Sequence, residues 1–238
     1  MNMKYSVIVP CYNEELNIHG LIKRLEQEKG SRNVEYIMVE NGSKDKTREC
    51  LERECSERAD FKIAYVDENL GYGYGVVQGM KAATGDYIGW IHADLQVSPK
   101  EMMRFIDYIE RDTTGQKFFL KGVRDSRSVV EHIFTAGMTA YVTLMLGQYL
   151  YDIGAIPVLF HRSLLDQMDE RIPYDFAIET YVYDKAKRSD LVVKRFRIHM
   201  GKREKGASSW NKGFSSKIRQ SKVIMGDVLK IRKGEAVR

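Results

Sequence analysis

Cysteine is scarce in this sequence: Cys11, Cys50 and Cys55 are an odd number with no C-x-x-C spacing. That disfavours both a disulfide framework and a structural zinc site, and the three thiols read as small buried or idle groups. No cationic segment followed by an apolar run opens the sequence, and no stretch of about eighteen uncharged apolar residues occurs; secretion and a spanning helix are disfavoured, and the expected compartment is the cytosol. Internal repeats, low-complexity tracts and long linkers are missing too. Nothing therefore divides the 238 residues into an array or into separately tethered domains.

What is present suits one large folded unit. Hydrophobic residues make up 43% and charged residues 30% of the chain, enough to bury a substantial core and too apolar for intrinsic disorder. The net charge of +5 conceals a gradient, because residues 184 to 238 hold 17 Lys and Arg against 5 Asp and Glu. The C-terminal quarter is thus suited to an anionic partner: nucleic acid, a lipid surface or phosphate groups. VVKRFRIHMGKREK carries positive charge but no nucleic-acid recognition motif, so no nucleic-acid partner is expected.

Through the first hundred residues short β-branched runs alternate with longer amphipathic ones: YSVIVP, ELNIHGLIKRLEQE, VEYIMVE, TRECLERECSE, FKIAYV. This alternation predicts an α/β fold with a mainly parallel central sheet flanked by helices. VVQGMKAA reads as a short helix and YIGWIHA as a fourth strand. SPKEMMRFIDYIER reads as a helix with Ser98 as N-cap and Pro99 at its first position. KFFLKGV, IPVLFH and VVKRFRIHM read as further strands, FAIETYVYDKAKRS as an amphipathic helix and GFSSKIRQSKVIMGDVLKIRK as a basic one. The weakly charged segment 129–150 is helical in pattern with apolar residues on most faces, so something must cover it.

Ligands of open α/β sheets sit outside the carboxyl ends of the strands. The polar clusters of this sequence fall there: Pro10, Tyr12 and Glu14 after the first strand, Glu40, Asn41 and Ser43 after the second, His92, Asp94 and Gln96 after the fourth. Glu40 and Asn41 can meet a base edge or a ribose hydroxyl; Ser43 and Asp45 can equally cap the next helix. LGYGYGVVQG lets backbone approach a ligand, but it follows the third strand and is weak as a dinucleotide fingerprint. Asp94 offers a hard oxygen to a divalent cation that bridges phosphates, with Gln96 and His92 as further candidates for Mg2+ or Mn2+; a capping or buried hydrogen-bond role is the ordinary alternative.

VIVPCYNEELNI, VENGSKDKT, LGYGYGVVQGMKAATGDYIGWIHADLQVSPKE and REKGASSW resemble, in order and spacing, the motifs of family 2 glycosyltransferases of the GT-A fold, in the branch of dolichyl- and polyprenyl-phosphate sugar transferases. The resemblance implies a single GT-A domain over 1–238, with a nucleotide-sugar half at 1–97, an acceptor half at 98–211 and a basic C-terminal helix at 212–238. It implies a UDP- or GDP-linked sugar donor bordered by Pro10, Tyr12, Glu14, Glu40, Asn41, Gly71, Gly73, Ala93, Asp94, Arg203 and Ser208. Asp94 and Gln96 match a metal-binding D-x-D-x-Q run whose first aspartate is His92 here, and Arg124 matches an arginine that faces phosphates.

The chemistry implied is metal-dependent transfer with inversion, in which a cation and arginines offset charge on the departing diphosphate. A hydroxyl acceptor needs a general base, for which Glu179 and Asp152 are the candidates; an acceptor phosphate does not. The acceptor is a lipid phosphate or a saccharide. Segment 129–150 and the basic tail suit peripheral contact with the inner face of the plasma membrane, or alternatively a core helix and a homo-oligomer contact. A non-catalytic nucleotide-sugar-binding module is the rival expectation, raised by His92.

Overall fold

Strands β1 (Tyr5–Cys11) and β2 (Val34–Asn41) are buried along nearly their whole length, as strands covered on both faces must be. They lie side by side inside a seven-stranded sheet in a computed structural model that describes residues 3–125, 129–203, 205, 214–235 and 237. Around them, in chain order, lie α1 (Ile18–Lys29), α2 (Thr47–Cys55), β3 (Phe61–Val66), α3 (Tyr72–Ala82), β4 (Tyr87–Trp90), α4 (Pro99–Glu110), β5 (Phe118–Arg124) and α5 (Val129–Leu146). Strand β6 (Val158–His161), a 3-10 turn at Arg162–Gln167, α6 (Ala177–Arg188), β7 (Val192–Ile198) and α7 (Phe214–Lys233) follow.

The strand order is β3-β2-β1-β4-β6-β5-β7. All neighbours are parallel except β6, which runs antiparallel to both β4 and β5. The sheet is therefore mainly parallel, as the alternating sequence pattern predicts. The chain leaves β5 at Arg124 on the carboxyl rim, passes through α5 and is still on that rim at Asp152, which meets Arg124; β6 can only run back down.

One core lies under α1, α2 and α4, with Leu21, Leu25, Leu51, Phe105 and Ile106 against Val7, Val9 and Tyr36. The other lies under α3, α5, α6 and α7, with Val76, Met80, Val142, Ile178, Val182 and Val228 against Ile8, Ile37, Trp90 and Phe160. Ser98 caps α4 as expected, its hydroxyl accepting from the Lys100 amide at 3.3 Å with Pro99 in the first turn.

Two boundaries differ from expectation and both shape the rim. Strand β4 ends at Trp90, three residues before the expected end of YIGWIHA, because His92 to Gln96 turn sharply, with Leu95 at φ 58°. Helix α3 opens at Tyr72, four residues before VVQGMKAA, despite Gly73 and Gly75 in its first turn. A Cβ at Gly73 would stand 2.5 Å from Pro173 O and one at Gly71 2.2 Å from Tyr174 O, so glycine permits this helix start to press against residues 173–175.

Candidate active site

The rim is assembled from loops that hold one another. The Asn13 amide donates to Ser43 Oγ at 3.2 Å and Asn13 Oδ1 accepts from the Lys44 amide at 2.8 Å, joining the loops after β1 and β2. At the start of α2, where Lys46 is the N-cap, Asp45 Oδ1 accepts from the Thr47 amide at 3.0 Å. Pro10 and Tyr12 are half-buried at this edge, and Glu14 is buried with its amide on Thr47 Oγ1 at 2.8 Å.

Glu40 and Asn41 are both buried at the end of β2. Glu40 Oε1 accepts from the Ser43 amide at 2.7 Å, and Asn41 Nδ2 donates to Gly71 O at 3.1 Å. Asn41 Oδ1 is buried with no hydrogen-bond partner among the described residues, an acceptor that a ligand N–H or O–H would satisfy. Gly71 and Gly73 flank this place, and their lack of side chains serves the close approach to residues 173–175.

Asp94 is 7% exposed. Its Oδ1 accepts from the Gln96 amide at 3.1 Å, and its Oδ2 lies 3.4 Å from Arg203 Nη2. The same Nη2 donates to Glu14 Oε1 at 2.8 Å, so one guanidinium bridges the loops after β1 and β4. Burial raises the Glu14 carboxyl above its ordinary range, while Asn17 and Arg203 pull it back. Gln96 Nε2 donates to Gly201 O at 3.3 Å and Gln96 O accepts from the Gly201 amide at 2.8 Å, which fastens the loop carrying Arg203 to the Asp94 turn. Ala93 is buried behind it.

His92 and Asp94 face different partners. His92 Nε2 lies 3.1 Å from the Tyr72 hydroxyl, which donates to Glu179 Oε1 at 3.2 Å. The Tyr72 ring stacks on Phe176 at 4.9 Å and meets the His92 ring edge-on at 5.2 Å. Burial pushes the Glu179 carboxyl up, with Lys121 and His92 opposing it. Lys121 is fully buried on β5 and donates to Ile153 O at 2.8 Å and Ala155 O at 2.6 Å; burial brings its ammonium down to about 8.

Arg124 and Asp152 are paired. Asp152 accepts from the Arg124 amide at 3.0 Å, from Nε at 3.2 Å and from Nη2 at 2.5 Å. A cavity of about 330 Å³ joins these groups, lined by His92, Asp94, Gln96, Arg124, Glu179 and Arg203. Phe134 and Met138 of α5, with Ile153, Ile198, Met200 and Ile224 of α7, add apolar surface, and Thr135, Thr139, Gln220 and Ser221 add further polar groups.

The structure thus brings together Asp94, Gln96, His92, Arg124, Asp152, Glu179 and Arg203 around one cavity, with Glu14 tied in through Arg203. Ser208 lies outside the described residues. No three His, Cys, Asp or Glu side chains converge as a metal cage among the described residues. A dication at Asp94 fits this donor set when diphosphate oxygens and water complete its shell, the usual situation for Mg2+. Sequence reasoning missed Tyr72 and Lys121. Lys121 had one signal, a lysine inside the apolar run FFLKGV.

The model of the family "Glycosyl transferase family 2" matches residues 6–155. Among curated proteins, the undecaprenyl-phosphate 4-deoxy-4-formamido-L-arabinose transferase of Pseudomonas syringae pv. syringae is 31% identical over 171 residues, covering 68% of this chain and 49% of that protein. The dolichol-phosphate mannosyltransferase of Pyrococcus furiosus is 33% identical over 108 residues, covering 45% of this chain and 30% of that protein. The chain spans about half the length, or less, of the curated relatives it matches. Among solved structures, glucosyl-3-phosphoglycerate synthase from Mycobacterium tuberculosis, in complex with Mn2+, UDP and glucosyl-3-phosphoglycerate, superposes with a TM-score of 0.73 at 18% identity, covering 98% of this chain and 81% of that one. That likeness assigns the GT-A fold.

Proposed function

The chain belongs to glycosyl transferase family 2, and from that premise we infer that it transfers a sugar from a nucleoside diphosphate to an acceptor held in the cavity behind Asp94. The observation that carries this reading is the turn at His92 to Gln96, which sets the Asp94 carboxylate in the wall of a part-polar, part-apolar cavity that two arginines also line. Pro10, Tyr12, Glu14, Glu40, Asn41, Gly71, Gly73 and Ala93 border the donor, and Asn41 Oδ1 takes a hydrogen bond from it. Asp94 and Gln96 would hold Mg2+ or Mn2+, which when bound supplies the positive charge that offsets the departing diphosphate. Arg203 adds to that charge from the loop joined to Gln96, and Arg124 faces the acceptor side.

An acceptor phosphate is already ionised at neutral pH and needs no general base. The hydrogen bonds of the two candidate bases support such an acceptor: Asp152 is engaged by Arg124, and Glu179 by Tyr72. The names of the curated relatives, with undecaprenyl phosphate and dolichol phosphate in them, support a lipid carrier. Ile133 of α5 is 66% exposed, Leu144 74% and Val223 of the basic α7 48%, which supports contact with an anionic lipid surface. Among the described residues no helix is long and apolar enough to cross a membrane.

Calorimetric titration with UDP and GDP, each with and without Mn2+, tests the donor half. Mn2+-dependent binding is expected, uridine ahead of guanosine, together with slow hydrolysis of the cognate nucleotide sugar. Binding without turnover on any lipid phosphate or saccharide would favour a nucleotide-sugar-binding module. Failure of both diphosphates to bind sinks the reading altogether.

A further inference from the structure

We propose that Glu179, acting through the Tyr72 hydroxyl, fixes His92 as the imidazole protonated on Nε2, so that Nδ1 is presented in the cavity as an acceptor for a substrate hydroxyl. The tautomer follows from this chain alone; the word substrate rests on the glycosyl-transfer reading.

The Tyr72 hydroxyl has one proton and stands between Glu179 Oε1 at 3.2 Å and His92 Nε2 at 3.1 Å. An ionised carboxylate only accepts, so the hydroxyl proton goes to Glu179. His92 Nε2 must then be the donor to the hydroxyl lone pair. A neutral imidazole carries one N–H, which leaves Nδ1 as a bare acceptor. The bond at Nε2 is the ring's one hydrogen bond among the described residues.

Two features hold the chain in this direction. The reverse order, with the proton on Nδ1, requires Glu179 to carry a proton and donate it to Tyr72. Burial favours that proton, but the buried Lys121 ammonium and His92 oppose it in favour of the carboxylate, and Lys121 is itself held in place by two backbone carbonyls. Tyr72 is 9% exposed and clamped between the Phe176 face and the His92 edge, so its hydroxyl stays between its two partners. A partner on one ring nitrogen deciding the role of the other is the logic by which outer groups orient histidines in metal and catalytic sites.

The consequence is a site that accepts hydrogen bonds without adding negative charge. Where D-x-D-x-Q has a carboxylate, this chain has a ring nitrogen that still accepts but attracts no cation by charge. His92 is thereby assigned to a hydroxyl, and the negative charge for a dication comes from Asp94. Glu179 and Tyr72 are positioning residues, since neither needs to touch the reacting atoms.

Long-range 1H–15N spectra of the full chain with 15N-labelled histidine, at mildly alkaline pH, read the tautomer directly, and a His92→Gln sample assigns the signal. The wild type is expected to show the proton on Nε2. Tyr72→Phe should convert it to a mixture. Glu179→Gln, isosteric and able to donate its amide proton to Tyr72, should move the population toward Nδ1–H even where Tyr72→Phe folds poorly. A wild-type proton on Nδ1, or a Glu179→Gln spectrum identical to the wild type, overturns the proposal. UDP and GDP, then UDP-glucose and GDP-mannose, each with Mg2+, separate a ribose hydroxyl from a sugar hydroxyl as the group that shifts Nδ1. A ring that none of them moves, although calorimetry shows them bound, overturns the assignment to a donor hydroxyl; absence of binding would instead count against the glycosyl-transfer reading.

Discussion

Glu35 and Glu179 are both buried carboxylates, one at each edge of the same sheet, and their surroundings could hardly differ more. Glu35, at the start of β2, accepts from Ser6 Oγ at 2.6 Å and from the Thr84 amide and hydroxyl at 2.7 Å, with Lys62 at 2.8 Å and Lys4 at 3.1 Å. Despite the cost of burial, these donors hold its carboxyl far below the ordinary range. Glu179, at the carboxyl edge, accepts from the Tyr72 hydroxyl at 3.2 Å, and burial pushes its carboxyl the other way. A carboxylate saturated with donors ties strands together and has nothing left for a ligand. One held at a single point, above a cavity, keeps chemistry available at some cost in stability.

Four substitutions break or sharpen that contrast. The largest effect is expected at Asp94: Asp94→Ala should lower turnover on the order of 10³-fold, about 4 kcal/mol, while the melting temperature moves by no more than about 2 °C. Kinetics and calorimetry on one preparation check it, and a large drop in melting temperature would make the carboxyl edge structural like the other. Glu35→Gln should cost about 2 kcal/mol at neutral pH, because the amide cannot satisfy the donors that Glu35 accepts.

Its pH dependence has a definite sign. The native carboxyl lies below the unfolded value of 4.5, so its contribution is complete above that pH and is lost as the pH falls. Urea unfolding from neutral to acid pH should show a shallower acid limb in Glu35→Gln than in the wild type.

Third in size is Arg203→Met. The guanidinium stands 3.4 Å from Asp94 Oδ2 and competes there with a dication, so its loss should raise Mn2+ affinity about tenfold in the absence of nucleotide. Titration followed by electron paramagnetic resonance measures this; unchanged or weaker binding would show that Arg203 does not mask the carboxylate. The smallest effect is Glu179→Gln, within about 1 kcal/mol of wild-type stability. Burial raises its native pKa, so ionisation is a cost that grows as the pH rises above 4.5, and the amide avoids it. A loss as large as that of Glu35→Gln would erase the distinction between the two edges.

The elements and the rim were legible because apolar runs ending in polar residues mark strand ends of an α/β sheet: β1 to Glu14, β2 to Asn41, β4 to Asp94. Ser98 and Pro99 announced α4 through local capping chemistry, which involves neighbours only. The antiparallel course of β6 was not legible, since direction depends on where the chain stands after α5. Nor was the Tyr72 hub, whose partners are 20 and 107 residues away in sequence and belong to no periodic pattern. The glycines at the start of α3 read as room for a ligand; that a Cβ at Gly71 or Gly73 would also meet backbone of residues 173–175 was not legible, because tertiary packing sets that contact. His92 read as a companion of Asp94 because they are two residues apart, yet the turn sends them to separate partners.

Leu95 lies between Asp94 and Gln96 with φ 58°, a left-handed backbone that disfavours a leucine by about 1 kcal/mol. It is 8% exposed, packed in the core that faces α1 and α4. Glycine would fit that backbone better but would vacate a buried side chain, a loss of several kcal/mol. The hydrophobic interior on one side of the sheet thus bends the loop that serves chemistry on the other, and remodelling that interior for heat resistance would reach the carboxylate at 94 without touching it.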